Sequence, residues 1–230
     1  MVIALATEDT HVHPWPGGIA ADKRMDAVVF DMDGTLIESH TVVPAAYRAA
    51  ILDGGGPELS DAEIIARYPL GPPSVLITHL LRRPATDQDL ARYHAHLAAL
   101  AGQVTVYAGV AELLGDVGGR APIGLFTGAS HRAAEILLDR VGLLRHFRVV
   151  VGGDEVSRPK PEPDGIELAC RRLGVAPARA AYVGDSPLDL RAARRSGALA
   201  VAAGWGHQYD PREAADRIAG HPRELLSLIG

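Results

Sequence analysis

Ala27-Val28-Val29-Phe30-Asp31-Met32-Asp33-Gly34-Thr35 runs a short apolar stretch straight into two carboxylates one residue apart. A run this brief and β-branched reads as a buried strand, and the acids mark its carboxyl end. Side chains alternate along an extended chain, so Asp31 and Asp33 share one side only while the backbone between them stays extended. Gly34 then lets the chain turn away. Two acids held together at a strand end are costly unless a cation or a proton relieves them. The pair therefore calls for a metal or for proton chemistry. As plain structure, the same pentapeptide is a polar turn punctuated by Asp-Gly.

Beyond this strand, short apolar runs alternate with helical patterns. Strands are expected at 27–30, 123–126, 148–151, 181–183 and 199–202. Helices are expected at 133–141, 164–173 and 188–196, each with apolar residues at helical spacing. Such alternation predicts an α/β fold: a parallel, Rossmann-like sheet with right-handed crossovers and helices on both faces. Ligands of such sheets bind beyond the carboxyl ends of the strands.

Residues 41–103 break the alternation and hold no convincing strand. Helical stretches are expected at 43–52, 61–67, 74–81 and 87–100. Ser60 with Glu63 three positions on forms a capping-box start for the second of them. The expected organisation is an N-terminal extension over 1–24, an α/β core from 25–40 and 104–230, and an inserted α-helical cap domain over 41–103. The cap's place after the acidic strand end sets it over the presumed site. The extension carries His11 and His13, which read as solvated residues rather than a metal clip.

The 230 residues carry a net charge of −5, which argues against a general nucleic-acid binder. Arg191, Arg194 and Arg195 form the densest basic group and read as an exposed helix face. Cys170 has no cysteine partner and reads as a small buried hydrophobe in a reducing compartment. Met1 to Ala6 is too short and lacks the basic flank of a signal peptide. No stretch reaches the roughly 20 apolar residues of a spanning helix. The expectation is a cytoplasmic protein, monomer or homodimer, with no nucleic-acid or membrane partner.

Three further motifs fall at or after strand ends. Thr127-Gly128-Ala129-Ser130 leaves a strand and opens a helix, offering a hydroxyl and backbone N–H groups to an anion. Ser130 there also reads as an N-cap. Arg158-Pro159-Lys160-Pro161-Glu162-Pro163 holds Lys160 between prolines in an extended loop, suited to neutralising a phosphate or a carboxylate. Gly184-Asp185-Ser186-Pro187-Leu188-Asp189 places Asp185 at a strand end and Asp189 about one helical turn on, so both can face one pocket. In plain structural terms these two acids would be an N-cap and a first-turn acid favoured by the helix dipole.

In this order on one α/β frame, the motifs resemble those of the haloacid-dehalogenase (HAD) superfamily hydrolases. The similarity is to the subgroup with a helical cap after the first motif, phosphoglycolate-phosphatase-like. The resemblance implies a Mg²⁺-dependent phosphatase acting on a small phosphorylated metabolite through an aspartyl-phosphate. It implies Asp31 as nucleophile, and Asp33 as the acid and base that also contacts the metal through its backbone carbonyl. It further implies Thr127 and the Gly128 N–H as phosphate binders, and Lys160 as the balancing charge. Asp185 would ligate the metal beside Asp31. Asp189 would support the site through a metal-bound water or a hydrogen bond to Lys160. Oxygen-only ligands suit Mg²⁺ better than zinc.

Asp33 separates reaction types, because dehalogenation needs a nucleophile but no leaving-group acid, and its members typically lack the second Asp. The alternatives left open are a phosphosugar mutase of the same superfamily and a non-catalytic binding or regulatory protein on this fold. Phosphonate hydrolysis would want a cap lysine, and residues 41–103 contain none. Two positions depart from the family pattern: Gly128, where relatives often carry Asn, and Glu38-Ser39-His40, where many carry Asp-Ser or Asp-Thr. His40 reads as a linker residue. Within the cap, the proline-stiffened loop Tyr68-Pro69-Leu70-Gly71-Pro72-Pro73 could project over the site. His79, Arg82 and Arg83 could meet an anionic substrate tail.

Overall fold

The computed structural model describes residues 24–230. All but the last residue of the expected extension, His11 and His13 included, lies outside the described residues.

β1 (Ala27–Phe30) is buried along its whole length, as its continuous apolar run requires. The chain then turns tightly, the N–H groups of Leu36 and Ile37 both donating to the Met32 carbonyl, and enters β2 (Ile37–Glu38). Four helices follow: α1 (Val42–Asp53), α2 (Asp61–Ile65), α3 (Pro73–Leu81) and α4 (Asp87–Leu100). β3 (Thr105–Val106) returns antiparallel to β2, pairing Ile37 with Val106 and Glu38 with Thr105. The two connections between insert and core are thus tied into one ribbon. The rest of the chain runs α5 (Val110–Gly118), β4 (Ile123–Phe126), α6 (His131–Arg140), β5 (Val149–Val151), α7 (Asp164–Leu173), β6 (Ala180–Gly184), α8 (Pro187–Ser196), β7 (Leu199–Ala203) and β8 (Arg217–Ala219).

Six strands form one parallel sheet in the order β5-β4-β1-β6-β7-β8. The expected parallel sheet is present, with the strand expected at 148–151 beginning one residue later. The β2–β3 ribbon, α5 and β8 are additions to the expected set.

Alternation along β1 divides the core. Val28 and Phe30 pack with Leu113 and Leu114 of α5 and Leu137 and Leu138 of α6. Ala27 and Val29 face Ile166 and Ala169 of α7 and Leu190 of α8. Each fully buried side chain of this size contributes about 1.5–3 kcal/mol. Cys170 is buried on the α7 side, and burial pushes its thiol up to about 11, so it packs as a hydrophobe. The first of these cores continues into the insert through Ile51, Leu76, Ile77 and Leu97.

Within the insert, α2 starts on the expected capping box, Ser60 with Glu63, and α4 on a second one, Thr86 with Asp89. Asp89 is buried and is neutralised by Arg83 at 2.6 Å and Arg92 at 2.9 Å. Among the described residues, no helix is long and apolar enough to cross a membrane.

The topology has one consequence for chemistry. Phe30 pairs with Leu125 of β4 on one side and Val183 of β6 on the other. The residues that leave these three adjacent strands, Asp31, Thr127 and Asp185, therefore emerge together at one edge of the sheet.

Candidate active site

Asp31 emerges from β1 with its N–H donating to the Val183 carbonyl at 2.8 Å, which extends the strand by one residue and fixes the side chain's direction. The Lys160 ammonium donates to Asp31 Oδ1 at 2.6 Å and to Asp189 Oδ1 at 2.7 Å. It also lies 5.0 Å from the Phe126 ring centre and 5.5 Å from that of Tyr182, whose electron-rich faces favour a cation. Arg158 grips Asp164 at the start of α7 through Nε and Nη, and Arg195 reaches the Pro161 carbonyl at 3.3 Å. The loop that carries the lysine is thereby held at both flanks.

Burial works against the Lys160 charge, but Asp189 and Asp31 outweigh it and hold the ammonium's pKa well above its usual value. Asp31 is driven the other way. Burial raises its carboxyl well above the ordinary range, Lys160 opposes this, and Asp189, Asp33 and Asp185 add to the rise. An acid cluster this dry needs cations to stay ionised.

Asp33 lies beyond the strand end, where the Ser39 hydroxyl donates to its Oδ1. Burial raises the Asp33 carboxyl, opposed by that hydrogen bond and by the Lys160 charge. Gly34 turns the chain with φ +83°, and a Cβ there would sit 2.3 Å from Asp185 Oδ2. Gly206 also packs against it, and a Cβ there would come within 2.2 Å of the Asp185 Cβ. Both positions need glycine to leave room for this carboxylate.

Asp185 accepts from the Gln208 N–H at 2.9 Å through Oδ2, while its Oδ1 is buried with no hydrogen-bond partner among the described residues. Burial pushes its pKa up to about 6. An orphaned buried carboxylate oxygen is a costly feature that a bound cation would relieve. One carboxylate oxygen each from Asp31, Asp185 and Asp189 lie within 4.8 Å of one another. This all-oxygen donor set could hold a hard divalent cation. The Asp33 carboxylate is not in that group; it accepts from Ser39.

Asp189 has two duties. Its Oδ2 accepts from the Ser186 N–H and hydroxyl at 3.0 and 2.7 Å, closing the capping box of α8. Its Oδ1 holds Lys160 and lies 3.2 Å from the Tyr182 hydroxyl. Of the two links expected for it, the one to Lys160 is therefore direct.

Thr127 is buried, its N–H bonded to the Val151 carbonyl and its Oγ1 accepting from the Ala129 N–H at 3.2 Å. That turn leaves the hydroxyl proton free to donate. Chain neighbours aside, no atom of the described residues lies within 4 Å of a Cβ built on Gly128, so the space a larger residue would fill stands open. Ser130 is an N-cap, accepting from Ala133, and its hydroxyl also meets His94 of α4 at 3.0 Å.

Asp31, Asp33, Thr127, Gly128, Lys160, Asp185 and Asp189 all line one cavity of about 630 Å³ beneath the helical insert. The proline-stiffened turn contributes Tyr68, Pro69, Gly71 and Pro72 to it. His79, Arg82 and Arg83 do not line it. All three are exposed, and Arg83 is committed to Asp89. α3 buries its other face through Leu76, Ile77 and Leu80, which sends His79 outward.

The rim joins Glu38 and His40, already singled out in the sequence, to two residues that the sequence reading passed over, Tyr107 and His207. Tyr107 donates to Glu38 Oε2 at 2.8 Å, His40 bonds the other oxygen of Glu38, and His207 lies 4.0 Å from Asp185 Oδ2. Burial alone would raise the Glu38 carboxyl, yet the hydrogen bonds from Tyr107 and His40 hold it below its usual range. His207 and Gln208 follow β7, so the rule that put function at strand ends could have reached them.

A model of the haloacid dehalogenase-like hydrolases matches residues 25–197. The chain is 32% identical to the N-acetylmuramic acid 6-phosphate phosphatase of Pseudomonas aeruginosa, covering 90% of this chain and 95% of that one. It is 33% identical to the phosphoglycolate phosphatase of Chromobacterium violaceum, covering 90% and 97%. Among solved structures it resembles CbbY from Rhodobacter sphaeroides in complex with phosphate. That match has a TM-score of 0.74 at 25% identity and covers 87% of this chain and 96% of the other.

Proposed function

The chain belongs to the haloacid dehalogenase-like hydrolase family, and we propose that it is a Mg²⁺-dependent phosphatase of small-molecule phosphomonoesters. The observation that carries this reading is the Lys160 ammonium. It comes from 129 positions along the chain to lie 2.6 Å from Asp31, in the cavity that Asp33, Thr127 and Asp185 share.

Asp31 is the nucleophile, its Oδ1 held by Lys160 while Oδ2 accepts no hydrogen bond from the described residues. Attack by that oxygen forms the acyl-phosphate bond as the ester P–O bond breaks. Asp33 gives its proton to the departing alcohol oxygen, and its raised pKa suits it to hold one. It then takes a proton from the water that attacks phosphorus, which frees phosphate and restores the Asp31 carboxylate. The Thr127 hydroxyl and the Gly128 N–H donate to the phosphoryl oxygens, whose charge grows in the transition state. Asp31, Asp185 and the Asp33 backbone carbonyl would hold Mg²⁺, with Asp189 behind them. When bound, the ion neutralises the charge that otherwise keeps a phosphate dianion from these acids. The helices of the insert act as a cap that keeps bulk water from the acyl-phosphate.

Turnover of p-nitrophenyl phosphate tests the reading. Hydrolysis is expected with Mg²⁺, loss of it on chelation, and recovery when Mg²⁺ is returned. Silence toward this ester and a broad panel of metabolite phosphates would overturn the assignment, and undiminished activity after full chelation would remove the metal from it.

A further inference from the structure

The far wall of the cavity is apolar and aromatic. It is built by Val43 and Tyr47 of α1, Ile65 of α2, Tyr68 and Pro69 of the turn after it, and Tyr93 of α4. The Tyr47 and Tyr93 rings stack with centres 4.2 Å apart, and Tyr68 tilts against Tyr47 at 6.2 Å. The Tyr68 hydroxyl is buried and has no hydrogen-bond partner among the described residues. Burial raises its pKa, with the nearby Asp33 charge adding to the effect, so it stands there as a neutral phenol.

Equally telling is the charge that this wall lacks. Apart from Lys160, no lysine or arginine among the described residues lines the cavity, and Lys160 is committed to Asp31 and Asp189. Of the insert's five arginines, Arg48 is held by Asp61, Arg83 and Arg92 by Asp89 and Arg67 by the Glu63 carbonyl, while the exposed Arg82 lies outside the cavity lining. The two lining imidazoles, His40 and His207, sit by Glu38 and Asp185 at the phosphate end. A second anionic group on the substrate would be stripped of water here with no cation to receive it. A polyhydroxylated group would leave most of its hydroxyls unpaired against Val43, Ile65 and Pro69. A flat apolar ring loses nothing and gains contact area.

Resting on the phosphatase reading, we infer that the leaving alcohol is uncharged and carries an apolar ring that packs on this tyrosine wall, with one polar atom meeting the Tyr68 hydroxyl. The substrates named for the two relatives above are both acids, so this specificity separates the chain from them.

Four phosphates of primary alcohols test it with little difference in leaving group: phenethyl, tyrosol and ethyl phosphate, and phosphoglycolate. The kcat/KM for phenethyl phosphate is expected to exceed that for ethyl phosphate by roughly tenfold to a hundredfold, the value of burying one aromatic ring, and to exceed that for phosphoglycolate by at least as much. Tyr68→Phe is expected to cut the ratio of tyrosol to phenethyl phosphate by about fivefold or more, the loss of one neutral hydrogen bond. Phosphoglycolate hydrolysed as well as phenethyl phosphate would overturn the inference. An unchanged ratio in Tyr68→Phe would remove Tyr68 from it. Calorimetry with two unhydrolysable isosteres, phenylpropylphosphonate and phosphonopropionate, separates this inference from the activity beneath it. Tighter binding of the aromatic phosphonate by about tenfold or more, without turnover of any ester, would overturn the phosphatase reading and keep the pocket assignment. Equal or weaker binding would overturn the pocket assignment whatever the turnover.

Discussion

The Asp31→Asn protein is expected to lose about 10⁴-fold or more in kcat toward every phosphomonoester, the scale on which nucleophile removal acts in covalent catalysis. An amide oxygen can still accept from Lys160, so the change removes nucleophilicity and little else. Stability separates this reading from a structural role. Burial makes the Asp31 charge expensive in the folded state, and the neighbouring acids add to that cost. Removing the charge is therefore expected to leave the melting temperature unchanged or raise it. Inactivity with undiminished stability marks a residue kept for chemistry. A melting temperature that fell along with activity would recast Asp31 as part of the fold's scaffold.

Lys160→Met carries the opposite signature. The ammonium is bonded to two carboxylates, Asp31 and Asp189, and side-chain exposure at all three is 10% or less. Removing the cation leaves two buried acids facing each other, a loss of about 3–5 kcal/mol for a broken buried pair. Activity is expected to fall by about 10²–10³-fold or more, as when a charge-stabilising donor is deleted from a dry site. Chemical denaturation and steady-state kinetics on the same preparation check both halves. Lys160→Arg is not expected to rescue either one. The space is bounded by the Phe126 and Tyr182 rings at 5.0 and 5.5 Å, which fits a compact ammonium better than a planar fork. Full activity in Lys160→Met would break the link between this lysine and the nucleophile.

How far these features could be read in the sequence differs from one residue to the next. Asp31 was visible because the apolar run 27–30 has no other way to end in an α/β sheet, and Thr127 and Asp185 follow runs of the same kind. That the three strands are neighbours was not visible, because the order β4-β1-β6 is set by crossovers that no local pattern records. The β2–β3 ribbon has two residues per strand, too few for any period to show.

The tyrosine wall was hidden for another reason. Tyr47, Tyr68 and Tyr93 lie on separate elements; the proline-stiffened loop points to Tyr68, but no local pattern joins Tyr47 and Tyr93 to it. Only packing stacks two of them and leaves the third with a hydroxyl that has no partner among the described residues. His79, Arg82 and Arg83 failed in the opposite direction. The helix ends at Leu81, Arg82 closes it in the left-handed region at φ 54° and Arg83 lies beyond it, so the helical spacing does not extend to the two arginines, and no period records that the buried Asp89 takes Arg83 for itself.

The claim on which all of this depends is that Asp31 takes up the phosphoryl group. Rapid quenching during turnover of p-nitrophenyl phosphate, followed by borohydride, reduces an aspartyl-phosphate to homoserine and so marks the residue that carried it. Peptide mapping is predicted to place homoserine at position 31, and only when substrate and Mg²⁺ were both present. Homoserine at another acid, or none while phosphate is released at full rate, would contradict the account.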